Sequence, residues 1–410
     1  MNSNRRLDVA EKGFRLTFAV CAFGYVIDLF DTFLLNVLRV PSLRELGLGP
    51  DQVTAVGASL LQLQVFGIVL GSFVWGSLAD LRGRKAAVMT SILLYSVASL
   101  ACGWVETVSS YKVLRFVVGL GLGGEMGAAI TLIIESAPQK KRGMYTAWIA
   151  SMGAIGAVLA GVTADFLDWR TAYKLGGVVG FLLLFLRVRM IESPLFLKTK
   201  LRPSSILQSL GFFGSGDRVM RMGACILSAL PIWFWLGVCV SFAPEIFKDR
   251  VGEISVSHVV TWNYLGFFVG ELSSGWLAQS LGSRKKVLTG FLFALILLLT
   301  AGLLFPGQMP VGAFYAWVLL TGFASGYWVL FATIVAEQFA THYRGFATTT
   351  APQILRFLAI PLIASFQGLK ISSSAEGAAR TILIGVAVLA GLAIFGVRET
   401  YRLSLEAHES

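Results

Sequence analysis

The chain has 410 residues, 56% hydrophobic and only 14% charged, and its mean hydropathy of +0.73 excludes a soluble fold with a solvated surface. The formal net charge of +11 could suggest nucleic-acid binding, but Lys and Arg are concentrated in alternate connections between apolar stretches, so we exclude that partner. The four cysteines lie inside apolar stretches without paired spacing, which argues against a disulfide framework or a zinc site.

Apolar stretches of about 20 residues recur along the whole chain, and each is long enough to cross a hydrocarbon core as a helix. The first one lacks a small-residue cleavage site, so we expect it to stay in the protein. The fold class predicted is an all-α polytopic membrane protein with 12 transmembrane helices. The stretches lie near residues 15–37, 53–78, 86–104, 109–134, 144–166, 171–191, 221–244, 258–280, 286–305, 311–336, 345–367 and 378–397.

One long polar connection, rich in Ser, Pro, Lys and Gly, divides these stretches six and six. We therefore predict a six-helix bundle at 1–191, a cytoplasmic linker at 192–220 and a second six-helix bundle at 221–410. Short motifs return across the linker at an offset of about 200 residues. Six helices is an even number, so the halves are parallel repeats, and a substrate site between them is expected.

The basic residues predict the orientation in the membrane. If the N-terminus is cytoplasmic, 23 Lys and Arg residues fall on the cytoplasmic side and nine on the other side. This is the positive-inside pattern. It predicts a multi-pass protein of the plasma membrane, the inner membrane of a bacterium, with both termini in the cytoplasm.

The connection between the second and third stretches reads Gly76-x-Leu-Ala-Asp80-x-x-Gly83-Arg84-Lys85 and resembles the signature loop of the major facilitator superfamily. Glycine-rich residues after Arg115, the Glu135 to Arg142 segment and a Glu-Ser-Pro after the sixth stretch resemble its metabolite and sugar:proton symporter branches. Leu81 departs from the pattern, because a basic residue usually follows the loop aspartate. The resemblance implies a twelve-helix fold in two pseudo-symmetric halves.

We expect the charged residues of these motifs to form a cytoplasmic gate, a latch whose ion pairs break as the halves rock. A role of the basic residues in topology alone is the alternative. The predicted gate residues are Gly76, Asp80, Gly83, Arg84, Lys85, Glu135 and Arg142.

Ionisable residues inside apolar helices cost several kcal/mol unless they are paired or solvated, so each is a functional candidate. Asp28 and Asp31 share one helix face, where two close carboxylates should not both be ionised, so one of them can carry a proton. Solvation of one acid near the headgroups is the alternative. Glu125, in a Gly-Gly-Glu context, is a second predicted protonation site.

Arg115 precedes Gly119, Gly123 and Gly127, which repeat every four residues and form a stripe that a neighbouring helix can approach closely. In relatives the arginine of the fourth helix pairs with the acid of the first. The resemblance therefore implies that protonation of that acid releases the pair and shifts the conformational balance. A purely structural ion pair is the competing interpretation.

The second half holds the predicted solute-binding residues. The planar fork of Arg356, one turn after Gln353, matches a carboxylate or phosphate and favours an acidic solute over a sugar. A structural ion pair of Arg356 with Glu271 is the alternative. The remaining candidates for the cavity are Glu271, Trp235, Tyr264 and Tyr327.

The function predicted is alternating-access, proton-coupled symport of a small polar solute, with an organic anion favoured and a sugar possible. Proton-driven efflux of drugs or siderophore-like compounds is the alternative, which the absence of a Gly-Pro motif in the fifth helix disfavours. No nucleophile motif, phosphate-binding loop or metal spacing supports an enzyme. We expect no cofactor beyond the proton gradient, and as partners the solute, protons and the lipid bilayer around a monomer.

Overall fold

The structure is a computed structural model that describes residues 3–82, 84–124, 142–187, 214–304, 307–339 and 341–401. All regular elements in these ranges are helical, because a backbone surrounded by lipid must satisfy its own hydrogen bonds. The helices of the first half are α1 (Ser3–Glu45), α2 (Pro50–Arg82), α3 (Arg84–Cys102), α4 (Val108–Leu122), α5 (Arg142–Phe166) and α6 (Trp169–Arg187).

The second half uses shorter pieces, and several of its membrane crossings are interrupted. They are α7 (Gly216–Ser228), α8 (Leu230–Phe234), a π-helical segment (Trp235–Val240), α9 (Ala243–Val251), α10 (Val256–Leu281), α11 (Arg284–Leu304), α12 (Val311–Ser325), α13 (Trp328–Gln338), α14 (Thr341–Phe357), α15 (Ala359–Ser372) and α16 (Ala375–Gly396). Within the described ranges, nine helical segments are long and apolar enough to span a membrane, and ten if a bent pair counts as one.

Two interruptions have identifiable causes. The seventh crossing bends by 43° between α7 and α8–π, where Pro231 stands at the start of α8. In the eleventh crossing, Leu358 separates α14 from α15, and Pro361 cannot donate to the carbonyl of residue 357. The linker predicted at 192–220 lies outside the described residues as far as 213, and α7 already begins at Gly216.

The two halves repeat one mode of close helix packing. In the first half α2 lies against α4, and in the second α10 lies against α12. A Cβ atom at Gly71 would lie 2.0 Å from the carbonyl oxygen of Leu120, and one at Gly270, 199 positions later, would lie 2.1 Å from that of Phe323. Only glycine permits this approach.

The repeated contacts extend to the facing helices. The four corresponding glycine pairs are Gly67 and Gly266, Gly71 and Gly270, Gly119 and Gly322, and Gly123 and Gly326. In both halves the obstructing atoms are backbone atoms of the partner helix, so they cannot move aside. The predicted stripe of glycines therefore packs α4 on α2 at Gly119 and Gly123, while Gly127 lies outside the described residues.

We expect Gly71→Ala to prevent stable folding, because the added methyl group would overlap the backbone of α4. Overpacking of this kind costs about 1–3 kcal/mol or more. Gly290→Ala on α11 is the matched control, since no atom lies within 4 Å of its added Cβ. Size-exclusion profiles and melting temperatures in detergent measure the effect. A Gly71→Ala protein as stable as the control would contradict the backbone contact.

The halves meet along two symmetric interfaces. α5 packs against α10, and α2 packs against α14 and α15. The internal repeat relates the two interfaces. A shift of about 200 residues takes α2 to α10 and α5 to the α14–α15 crossing, so each interface corresponds to the other. This arrangement places a cavity on the axis between the halves.

Candidate functional site

The central cavity contains about 950 Å³ of space between the surrounding atoms, including its open part. Most of its wall is apolar or aromatic, and both halves contribute. The polar side chains on the wall are Thr32, Asn36, Gln64, Ser241 and Arg356, and the aromatic ones are Tyr25, Phe33, Trp233, Tyr264, Phe267 and Trp328.

Arg356 supplies a positive charge to this wall. Its side chain is 5% exposed, and its guanidinium carbon lies 5.8 Å from the ring centroid of Trp233. The charge also acts electrostatically on the hydroxyl groups of Tyr25 and Tyr264. A cation in an apolar cavity attracts an anion strongly, because little water screens it. The predicted partner Gln353 is buried one turn away and is not part of the cavity wall.

A second charged cluster, which we call the acid pocket, lies inside the first half. Asp31 is fully buried and accepts a hydrogen bond of 2.6 Å from the hydroxyl of Ser99. Arg115, also fully buried, lies with its guanidinium 4.8 Å from the ring centroid of Tyr173. Asp31 and Arg115 act on each other electrostatically, without a direct ion pair among the described residues.

Gln64 joins the acid pocket to the cavity. Its amide oxygen accepts a hydrogen bond of 3.3 Å from Nε of Arg115, and its Nε2 donates to the backbone carbonyl of Thr32 at 3.2 Å. The side chain is 3% exposed and forms part of the cavity wall. Our sequence interpretation missed Gln64 because it is neutral. The available signal was an amide in the middle of an apolar helix.

Glu271 occupies a different place from the one considered above. It is fully buried on α10, and Ser151 on α5 of the other half lies close to its carboxylate. Among the described residues it forms no ion pair with Arg356, so that alternative is wrong. Both groups nevertheless act electrostatically on Tyr25 and Tyr264.

Two of the three predicted aromatic residues do not reach the cavity. Trp235 is fully buried within the second half, where its Nε1 donates to Oδ1 of Asn263 at 2.6 Å. The hydroxyl of Tyr327 donates to the carbonyl of Ser228 at 3.0 Å. A buried indole or phenol needs such a partner, and here the bundle interior supplies it. Tyr264 does line the cavity, together with Trp233 and Trp328, which the prediction did not select.

The halves are joined at the end of the bundle where α1 finishes, which we call the Arg39 gate. Nη2 of Arg39 donates to the carbonyl of Ser241 at 2.5 Å and lies 3.4 Å from Oε1 of Glu245. The hydroxyl of Ser241 donates to Oδ1 of Asn36 at 2.8 Å. Nearby, the hydroxyl of Ser257 donates to Asp165 at 2.6 Å. These contacts connect the halves at one end of the cavity.

The predicted cytoplasmic gate is described only in part. Gly83 and Glu135 lie outside the described residues, and so does Glu125, the second predicted protonation site. The backbones of Gly76 and Asp80 belong to α2, that of Arg84 to α3 and that of Arg142 to α5. The side chains of Asp80, Arg84 and Arg142 lie outside the described residues. Lys85, on α3, is half-buried.

The structure describes the corresponding motif of the second half. Arg284 at the start of α11 forms an ion pair with Glu337 on α13. The carboxylate of Glu399 accepts hydrogen bonds from the hydroxyl of Ser283 and from the backbone N–H of Arg284 at 3.0 Å. Partial burial raises the pKa of Glu399, but the hydrogen bonds from Ser283 and backbone N–H groups outweigh it, and the pKa lies below its ordinary value.

Comparison with known proteins agrees with the geometry. The sequence profile of the Major Facilitator Superfamily matches residues 21–247. The niacin transporter NiaP of Acinetobacter baylyi is 24% identical over 95% of this chain and 94% of its own length. The sialic acid transporter NanX of Escherichia coli is 26% identical over 67% of each chain.

Among solved structures, the proton:xylose symporter XylE, an E. coli protein, superposes with a TM-score of 0.72 at 18% identity. The superposition covers 98% of this chain and 99% of XylE. The likeness shows the same fold of twelve membrane-spanning helices in two halves. The chain is therefore not an enzyme but a multi-pass membrane protein that transports a small solute, and it belongs to the major facilitator superfamily.

Proposed function

We propose that this transporter is a proton-coupled symporter that imports a small organic anion with a flat, apolar body. The observation that carries the proposal is Arg356, a buried cation beside Trp233 in a cavity whose other walls are largely apolar. A carboxylate can accept hydrogen bonds from the guanidinium fork, and a planar ring can stack on the aromatic walls. A polyhydroxylated sugar would leave many of its hydroxyl groups unpaired in such a cavity.

The names of the relatives support an anionic solute. Niacin and sialic acid, the solutes named for the two relatives above, both carry a carboxyl group. Nicotinate is the smaller and flatter of the two and suits a cavity walled by Trp233, Trp328 and Tyr264. We therefore use nicotinate as the first probe of transport.

The acid pocket supports proton coupling. Asp31 is fully buried next to a permanent cation, so binding of a proton changes the net charge of the pocket from zero to positive. In an interior of low dielectric constant, this change alters the balance between conformations. Asp28 and Glu125 remain further candidates for the proton. The energy source is the proton gradient, and no cofactor is needed.

The distribution of the basic residues supports an orientation with both termini in the cytoplasm. With both termini in the cytoplasm, the Arg39 gate faces the outside of a bacterial inner membrane, and the motifs around Lys85 and Arg284 face the cytoplasm. The contacts at the Arg39 gate then correspond to a conformation closed toward the outside. Each chain encloses its own cavity, so we propose that the monomer is the transporting unit.

Uptake into proteoliposomes tests this function. With the exterior one pH unit more acidic, coupling of one proton to one anion predicts about tenfold accumulation of nicotinate. Protein-free liposomes must be subtracted, because protonated nicotinic acid crosses bilayers unaided. Xylose, phosphate and an amphipathic cationic drug complete the panel. Accumulation of the drug with the interior acidic would indicate efflux instead, and accumulation of xylose but not nicotinate would exclude an anion site.

A further inference from the structure

Gln64 contacts both functional regions of the first half. One end of its amide touches Arg115 in the acid pocket, and the other touches the backbone of Thr32, which directly follows Asp31. Thr32 and Gln64 also belong to the cavity wall. A single side chain therefore lies between the proposed proton site and the solute.

The amide of Gln64 accepts the hydrogen bond of the Arg115 guanidinium. Both of its Nη atoms are buried without a hydrogen-bond partner in the described part of the chain, so the oxygen of Gln64 is its one described oxygen acceptor. Hydrogen bonds to a charged group are stronger than neutral ones. The amide is consequently held with its oxygen toward Arg115, and its two N–H bonds point away from that cation.

The groups that set the charge of the pocket lie on four helices. Arg115 and Tyr111 come from α4, Tyr173 from α6, Cys102 and Ser99 from α3, and Asp31 from α1. When Asp31 is ionised, it balances the charge of Arg115. When Asp31 is protonated, the uncompensated guanidinium attracts the oxygen of Gln64 more strongly and fixes the orientation of the amide.

We propose that Gln64 is the positioning residue that couples the acid pocket to the solute. One N–H of Nε2 is bonded to Thr32, and the second is available to a carboxylate in the cavity. Protonation of Asp31 thus strengthens solute binding, and a bound anion favours the protonated pocket in return. The inference rests on the proton-coupled function proposed above.

The second half contains a matched control. Asn263 stands 199 positions after Gln64 on the corresponding helix, and its amide oxygen also accepts one buried hydrogen bond. The donor there is the uncharged indole of Trp235, and the position corresponding to Arg115 is Val318. Removal of this amide disturbs the bundle without touching the acid pocket.

The experiment compares Gln64→Met with Asn263→Leu in proteoliposomes. Counterflow exchange of nicotinate at equal pH measures binding and turnover, and accumulation under a pH gradient measures coupling. For Gln64→Met we expect the ratio of accumulation to exchange to fall about tenfold, the factor of one hydrogen bond to a charged group. For Asn263→Leu we expect an unchanged ratio, whatever its effect on yield.

Other results would overturn the proposal in distinguishable ways. If the ratio in Gln64→Met stays within about twofold of wild type, Gln64 has no coupling role, although the function stands. A wild-type protein that exchanges nicotinate but does not accumulate it overturns both the proton-coupled function and the role of Gln64. A wild-type protein that does not handle nicotinate at all contradicts the solute class and, with it, this contact.

Gln64→Glu provides a second measurement if the methionine variant fails to fold. The carboxylate keeps the length of the side chain and pairs with Arg115 permanently, so the state of Asp31 no longer controls that cation. The nicotinate affinity of the purified variant, measured from pH 5 to pH 8, should then vary less than that of wild type. An unaltered pH profile would count against the proposal.

Discussion

Arg356→Gln is expected to weaken nicotinate binding by about 100-fold, while the protein still folds. The arginine lies in the wall of an apolar cavity, where a solute carboxylate would lose its water and need a counter-charge. Truncation of one partner of such a buried pair costs about 2–5 kcal/mol, and about 3 kcal/mol corresponds to a factor of 100 or more. Arg356→Lys keeps the charge without the fork and should lose about tenfold.

Counterflow kinetics with nicotinate and its neutral isostere nicotinamide measure this effect. Wild type should prefer the anion, and Arg356→Gln should lose the preference while handling the amide as before. Lys370→Gln, which removes a positive charge from the end of the same crossing, is the control. If Arg356→Gln retained the preference for nicotinate, Arg356 would not be the counter-charge of the solute.

Asp31→Asn is expected to abolish pH-driven accumulation, reducing it from about tenfold per pH unit to simple equilibration. Asparagine has nearly the same shape and can still accept the hydrogen bond from Ser99, but it cannot release a proton. The variant resembles the protonated state, so exchange of nicotinate at equal pH should survive. This separation of exchange from accumulation distinguishes loss of coupling from loss of structure.

Asp249→Asn, at an exposed position on α9, controls for removal of an acid. The same pair of assays applied to Asp28→Asn and Glu125→Gln compares the three candidate proton sites. Full accumulation by Asp31→Asn, together with its loss in one of the other variants, would move the proton site away from the acid pocket.

Much of the fold and the charged part of the site could be predicted from the sequence. The length of an apolar stretch identifies a membrane helix. The free-energy cost of a charge in lipid identifies Asp31, Arg115 and Arg356 as functional candidates. The structure buries all three and separates them into the acid pocket and the cavity. The glycine spacing of α4 likewise predicted its close approach to another helix, because a Cβ atom at those positions meets backbone.

The aromatic residues could not be assigned in the same way. Trp233 and Trp235 are two positions apart, and either could face the cavity if the helix phase is unknown. A bend of 43° and a π-helical segment alter that phase in the seventh crossing. Polar partners decide the outcome, since Asn263 holds Trp235 inside the second bundle.

The contacts between the halves could not be predicted from the sequence either. Arg39 was one of nine basic residues on the outer side, and nothing local indicates that it reaches Ser241 and Glu245 across the axis. Glu271 was considered for pairing with Arg356 of its own half but lies toward Ser151 of the other. Pairings of this kind depend on the relative placement of two bundles, which local patterns do not contain.

The matching glycine contacts of the two bundles also indicate how such an asymmetric machine could arise. Gly71 and Gly270 make the same approach to a facing backbone, yet the amides beside them bind an arginine in one bundle and a tryptophan in the other. Duplication of one ancestral six-helix unit would supply both copies of the scaffold at once. With backbone contacts holding each copy together, side chains on the shared axis were free to diverge, so that Gln64 binds Arg115 in one copy and Arg356 lies beside Trp233 in the other.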